Sequence, residues 1–149
     1  QIAFAENYYA CRLEDAGRYA ICVMNRLAEC FQYRSGVTEI GTTAEEAFAC
    51  GMGVCQDYAQ IMLSLCRIKR IPCRYVTGML VGEGASHAWV EVYTNGMWIP
   101  LDPTNQILVT DQHIKIAHGR DFSDTMVNQG VFIGNVTQKQ DITVIVEQI

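Results

Sequence analysis

The sequence has no apolar run near the roughly 18 residues needed to cross a bilayer, which excludes an ordinary membrane-spanning helix and a membrane partner. Positive charge is also short: 11 Lys and Arg stand against 16 Asp and Glu, a net charge of −5. Nucleic acid is recognised by clustered basic residues, and the densest stretch here, Arg67, Lys69, Arg70 and Arg74, is no more than a solvated helix end supplies. No segment is repetitive or of low complexity. The seven cysteines form no Cys-x-x-Cys pair and no zinc spacing, so neither a metal nor another cofactor is expected. Most of them fall in apolar helical patterns, where Cys acts as a small hydrophobe. An odd number without paired spacing points to a reducing compartment with no disulfide framework, hence to the cytoplasm. Gln1 in place of Met marks a fragment of a longer chain, so a lost leader and export stay open.

Half of the 149 residues are hydrophobic and 18% are charged, which fits one globular domain over 1–149. Helices are expected over 2–10 and over 14–31, the latter from Tyr19, Ala20, Val23, Met24 and Leu27 at three-and-four spacing. Thr43 with Glu46 three residues on reads as a capping box before a short helix over 44–50. After Gly51-Met52-Gly53, residues 54–68 are apolar nearly all round, the mark of a buried central helix. The pattern then turns to strands: 73–81, a turn at 82–84, 86–94, and 97–101 after the hairpin signal Asn95-Gly96. Residues 111–120 read as a loop with a short helical or extended piece, and 131–134 and 142–146 as late strands. Helices first and antiparallel strands after make an α+β fold.

Cys55 sits at the first turn of the buried helix, just after a Gly-x-Gly break. A helix N-terminus favours an anion, so a thiol there is expected to ionise more readily and attack faster. Position alone does not separate such a nucleophile from a structural cysteine. His87 shares a strand face with Trp89, Glu91 and Tyr93. A two-residue turn at Asn95-Gly96 sets 89 opposite 102, and a four-residue turn sets 87 opposite 102. In either register His87 and Asp102 share a face, directly opposed or one diagonal apart, within about 7–8 Å. A carboxylate there can orient the imidazole and stabilise its cation.

The segments Gly53-Val54-Cys55-Gln56-Asp57-Tyr58-Ala59, Arg74-Tyr75-Val76-Thr77-Gly78, Ser86-His87-Ala88-Trp89-Val90-Glu91-Val92-Tyr93 and Asp102-Pro103-Thr104 closely resemble the bacterial transglutaminase-like superfamily. The stretch from Asp111 to Asp124 resembles that family's C-terminal motif. The resemblance implies a papain-like core, with N-terminal helices and the nucleophile helix packed on an antiparallel sheet. It implies Cys55 as nucleophile, His87 as general base and acid, and Asp102 as orienter. The implied reaction is acyl transfer from a peptide or protein amide through a thioester. Water as acceptor makes a protease or amidase, and an amine makes a transglutaminase. A non-catalytic binding module is the third reading, and the intact triad counts against it. The best-known cross-linkers of the superfamily use calcium, and nothing in this sequence resembles a calcium loop.

Oxyanion donors are expected in the Cys55 backbone N–H and the Tyr33 hydroxyl. Gln56, Trp89, Arg120 and Asp121 are candidates for the substrate cleft, with Trp98 a further aromatic. His113 and His118, flanked by Asp111 and Asp121, fit no metal-ligand spacing. Asp57, one turn into the buried helix, is expected to be a satisfied acid that holds the backbone around the cleft.

Overall fold

The computed structural model of the chain describes residues 15–84, 86–126, 133–134 and 144–147. Helix α1 (Ala16–Cys30) starts at Asp15, whose carboxylate accepts the Gly17 N–H at 2.9 Å and the Thr94 hydroxyl at 3.2 Å. The second bond ties the helix start to the sheet. Its buried stripe is the expected one, Tyr19, Ala20, Val23, Met24 and Leu27. Helix α2 (Ala44–Cys50) begins with the expected capping box. The Glu46 N–H donates to Thr43 Oγ1 at 3.2 Å and the Thr43 N–H donates to Glu46 Oε2 at 2.9 Å. Gly51 ends it at φ 72°, a left-handed conformation that suits glycine.

Helix α3 (Cys55–Ile68) is the buried helix, with Asp57, Tyr58, Ala59, Ile61, Met62, Leu63, Leu65 and Cys66 all enclosed. It lies on a five-stranded antiparallel sheet of order β7-β6-β5-β3-β8. These strands are β3 (Cys73–Leu80), β5 (His87–Thr94), β6 (Met97–Asp102), β7 (Ile107–Leu108) and β8 (His113–Gly119). Tyr75, Ala88, Val90, Val92 and Leu101 face the helices and complete the core. Each such large apolar side chain contributes about 1.5–3 kcal/mol on burial. On the opposite face Glu91 bridges Arg74 of β3 and Lys115 of β8. Two short pairs flank the main sheet: β1 (Gln32–Tyr33) with β2 (Met52–Gly53), and β4 (Gly82–Gly84) with β9 (Val144–Val146). No helix among the described residues is long and apolar enough to cross a membrane.

The α+β architecture is as expected, and three readings change. Residues 82–84 are a strand, not a turn, because their hydrogen-bonding partner lies some sixty residues away in β9. Residues 111–120 contain a full edge strand, β8, where a loop with a short piece was expected. Cys22 is disulfide-bonded, where no disulfide framework was expected. The helix expected over 2–10 and residues 131–132 of the strand expected over 131–134 lie outside the described residues, and 133–134 are not strand.

Candidate active site

Cys55 is the first residue of α3. What fixes that helix start is Asp57, which is 2% exposed. Its Oδ2 accepts the Val54 N–H and the Thr38 hydroxyl, both at 2.7 Å, so this acid braces the turn into the helix. Gly53 makes that possible: a Cβ there would overlap the Asp57 side chain. The parallel β1–β2 pair sets Tyr33 beside Gly53, and so beside the turn that leads into Cys55. Tyr33 is 59% exposed, and its phenol is held above its ordinary value by partial burial and by the neighbouring Cys55.

In the hairpin Thr94 pairs with Met97 and Val90 with Leu101, the two-residue-turn register. Asp102 is therefore one diagonal from His87 on the same face. His87 Nε2 lies 2.7 Å from Asp102 Oδ2, with the histidine side chain 11% exposed and the aspartate fully buried. That bond leaves Nδ1 for another partner, and Cys55 lies beside the imidazole in the same cleft. The Cys55 thiol also reaches the Ser86 carbonyl, at 3.9 Å. Burial pushes the His87 imidazole down, but the bonds and charges of Asp102 and Cys55 outweigh it and raise it to about 9. Burial likewise disfavours the Asp102 carboxylate, yet His87, Asn105 and His113 together hold it at about 2. The site thus favours a cationic imidazole against an anionic carboxylate.

The cleft over Cys55 has a volume of about 310 Å³ and is lined by Tyr33, Gln56, Tyr75, Thr77, His87 and Phe122 among others. Besides Cys55, His87 and the two tyrosines, none of the described residues that line it carries an acidic or basic side chain. Tyr75, almost wholly buried, has its phenol raised by burial first and by Cys55 and Asp57 after it. Thr77 joins the cleft wall to the C-terminal segment through a 2.8 Å bond to Thr125.

The cleft candidates divide. Tyr33 and Gln56 line it, with the Gln56 amide bonded to the Ile40 carbonyl at 3.1 Å. Trp89 does not: it is 1% exposed and lies over Gly78, where a Cβ would overlap its ring. Arg120 and Asp121 do not line it either. Arg120 pairs with Asp124, and Asp121 caps the 3-10 turn Phe122–Thr125. That turn presents Phe122 to the cleft, a residue whose own sequence carries no chemical signal. Trp98 stacks against Arg74 at 4.0 Å on the outer face.

Sequence reasoning also missed His113. Its Nε2 lies 3.1 Å from Asp102 Oδ2, and its side chain is fully buried. His87, Asp102 and His113 form a compact trio of metal-ligand type. The 2.7 Å His87–Asp102 separation is a hydrogen bond. Two ligands about 2.0–2.1 Å from a tetrahedral zinc would stand farther apart, about 3.3 Å.

Residues 3–103 match the model of the transglutaminase-like superfamily. The chain belongs to that superfamily. A protein of uncharacterised function from Mycobacterium leprae is 37% identical over 122 residues, covering 75% of this chain and 43% of the relative. Another from Mycobacterium tuberculosis is 34% identical over 127 residues, 74% of this chain and 40% of that one. This chain thus spans about two-fifths of the curated relatives it matches. Among solved structures, a candidate cysteine protease from Cytophaga hutchinsonii superposes with a TM-score of 0.67 at 33% identity, covering 73% of this chain and 38% of that one. Legionella pneumophila LapG gives 0.64 at 14% identity over 78% of this chain and 72% of its own, a likeness of transglutaminase-like fold alone.

Proposed function

We propose that the chain is a thiol-dependent acyl-transfer enzyme that cleaves peptide, isopeptide or other amide bonds through Cys55, His87 and Asp102. The observation that carries this reading is the orientation of His87. Nε2 is bonded to Asp102, and the imidazole shares one cleft wall with the Cys55 thiol at a helix start. The imidazole takes the thiol proton, and the sulfur attacks the carbonyl carbon. The carbonyl electron pair moves to oxygen, where the Cys55 N–H, unpaired within the helix, and the Tyr33 hydroxyl receive it. The oxyanion collapses as the C–N bond breaks, and the imidazolium passes its proton to the leaving amine. A thioester remains. Water, deprotonated by His87, then adds to it and releases the acid and the thiol. Asp102 keeps the imidazole in one tautomer and balances its charge through both steps. The neutral, partly aromatic cleft suits an uncharged acyl side chain.

An amine in place of water would make the same thioester a cross-linking intermediate, so the test includes both acceptors. A library of peptide and isopeptide amides is incubated with wild type and with Cys55→Ala, with and without added primary amine. Expected are acid products from wild type alone. Amine adducts would assign transamidation. No turnover on any amide, with Cys55 alkylated by iodoacetamide no faster than the other thiols, would leave a binding module as the answer.

A further inference from the structure

The bond from β8 to Asp102 is the feature that the triad chemistry does not use. His113 stands on an edge strand two places from β5 in the sheet, yet its ring crosses to the active carboxylate. The ladder pairs Leu80 with His113 and Gly78 with His87, which sets both histidines on the face that carries Asp102. Gly78, without a side chain between them, leaves space that the Trp89 ring fills. Trp89 then meets the His113 ring edge-on at 5.4 Å, and the His87 ring lies 5.9 Å from it.

Two bonds fix where the His113 proton sits. The Thr110 backbone N–H donates to Nδ1 at 3.3 Å, so Nδ1 is an acceptor. The proton is then on Nε2, aimed at Asp102 Oδ2. The segment is held for this by a tight turn in which the His113 N–H donates to the Thr110 carbonyl at 3.1 Å. Asp102 Oδ2 accordingly receives His87, His113 and the Asn105 amide, while Oδ1 receives the Thr104 and Asn105 N–H groups.

We propose that His113 is a positioning residue for the triad: its Nε2–H pins the Asp102 carboxylate in the rotation that holds His87 with Nδ1 facing Cys55. This rests on the acyl-transfer reading for its purpose, and not for its geometry. The other four bonds to this carboxylate come from His87 and from the turn at Thr104 and Asn105, all within the hairpin and the residues that follow it. His113 ties the same carboxylate to the far edge of the sheet, so its rotation is set by two separate parts of the fold. Packing alone would ask only for a ring of that size beside Trp89.

The test separates these roles with His113→Gln, which keeps an N–H near the Nε2 position, and His113→Phe, which keeps the ring and loses the donor. Three quantities are read on the whole chain: the rate of Cys55 alkylation by iodoacetamide at neutral pH, the pH midpoint of the His87 ring by NMR, and the tautomer of His113 by long-range nitrogen–proton correlation. Expected are a proton on Nε2 of His113, alkylation about tenfold slower and a displaced His87 midpoint in His113→Phe, and recovery of both in His113→Gln. Wild-type rate and midpoint in His113→Phe would overturn the proposal, as would equal loss in both variants or a proton on Nδ1. The tautomer is read on wild type, so the proposal stays exposed even where a variant fails to fold. A wild type whose Cys55 reacts no faster than its other thiols is the separate failure, that of the acyl-transfer reading.

Discussion

Asp102→Asn changes one oxygen to an amide nitrogen in a fully buried position, and the structure says what that does. The carboxylate accepts five hydrogen bonds. Oδ2 takes His87, Asn105 and His113 at 2.7, 2.7 and 3.1 Å, and Oδ1 takes the N–H groups of Thr104 and Asn105 at 3.0 and 3.2 Å. An amide offers one acceptor and one donor end. If its oxygen keeps the two backbone N–H groups, its NH₂ confronts three donors, and the reverse orientation confronts two. At least two buried donors lose their acceptor, which costs about 3 kcal/mol in all. His87 can restore its own bond only by moving its proton to Nδ1, and it then shows Cys55 a proton in place of a lone pair. Loss of the base slows thiol attack by roughly 10²–10⁴-fold. The His87 midpoint also moves in a definite direction. It stands at about 9 because Asp102 and Cys55 outweigh burial. Without the carboxylate charge burial opposes Cys55 alone, and the midpoint falls. Iodoacetamide alkylation of Cys55, followed by mass spectrometry, reads the first effect, and the His87 ring shift against pH reads the second. A variant with wild-type alkylation and an unmoved midpoint would refute the account of Asp102 given above.

Amide turnover should decline as pH rises through about 9, because His87 then lacks the proton that the leaving amine needs; a flat profile beyond that pH contradicts the assignment. The same pair sets a stability window. His87 is raised from 6.5 to about 9, so its contribution is complete below 6.5 and lost as pH rises through about 9. Asp102 is lowered from 3.8 to about 2, so its contribution is complete above 3.8 and lost as pH falls through about 2. Urea unfolding of wild type and Asp102→Asn should therefore differ most between these limits. Tyr33→Phe removes one hydroxyl from an exposed ring; we expect kcat to fall by about 10²-fold with KM and melting temperature little changed. Gly53→Ala drives a Cβ into Asp57, so it should cost about 1–3 kcal/mol in urea unfolding and slow Cys55 alkylation as well.

What the sequence disclosed, and what it withheld, follows the range of the forces involved. The capping box at Thr43 and Glu46 closes within one turn, so two residues and their spacing announce it. The His87–Asp102 diagonal needs only strand parity and the Asn95-Gly96 turn, both local to the hairpin. Asp57 sits three residues from the N–H it accepts, and its place on the helix suggested its duty. His113 is different. Its bond to Asp102 spans 11 residues in sequence but two intervening strands in space. It exists only because β8 pairs with β3 at one edge while β7 takes the other. Backbone ladders carry no side-chain code that tells a late strand which edge to join. The register then shifts between Thr77 and Gly78, so that period-two counting along 113–119 misplaces residues on the two faces. The same ambiguity hid Phe122, delivered to the cleft by the turn that follows β8, and let Trp89 pass for a cleft residue. Trp89 is on the predicted face, but Gly78 draws its ring down onto the sheet, where it supports the two histidines from behind. A side chain's face can be counted from the sequence, whereas its neighbour across a non-local ladder cannot. The His87–Asp102 contact was therefore legible, and the His113–Asp102 contact was not.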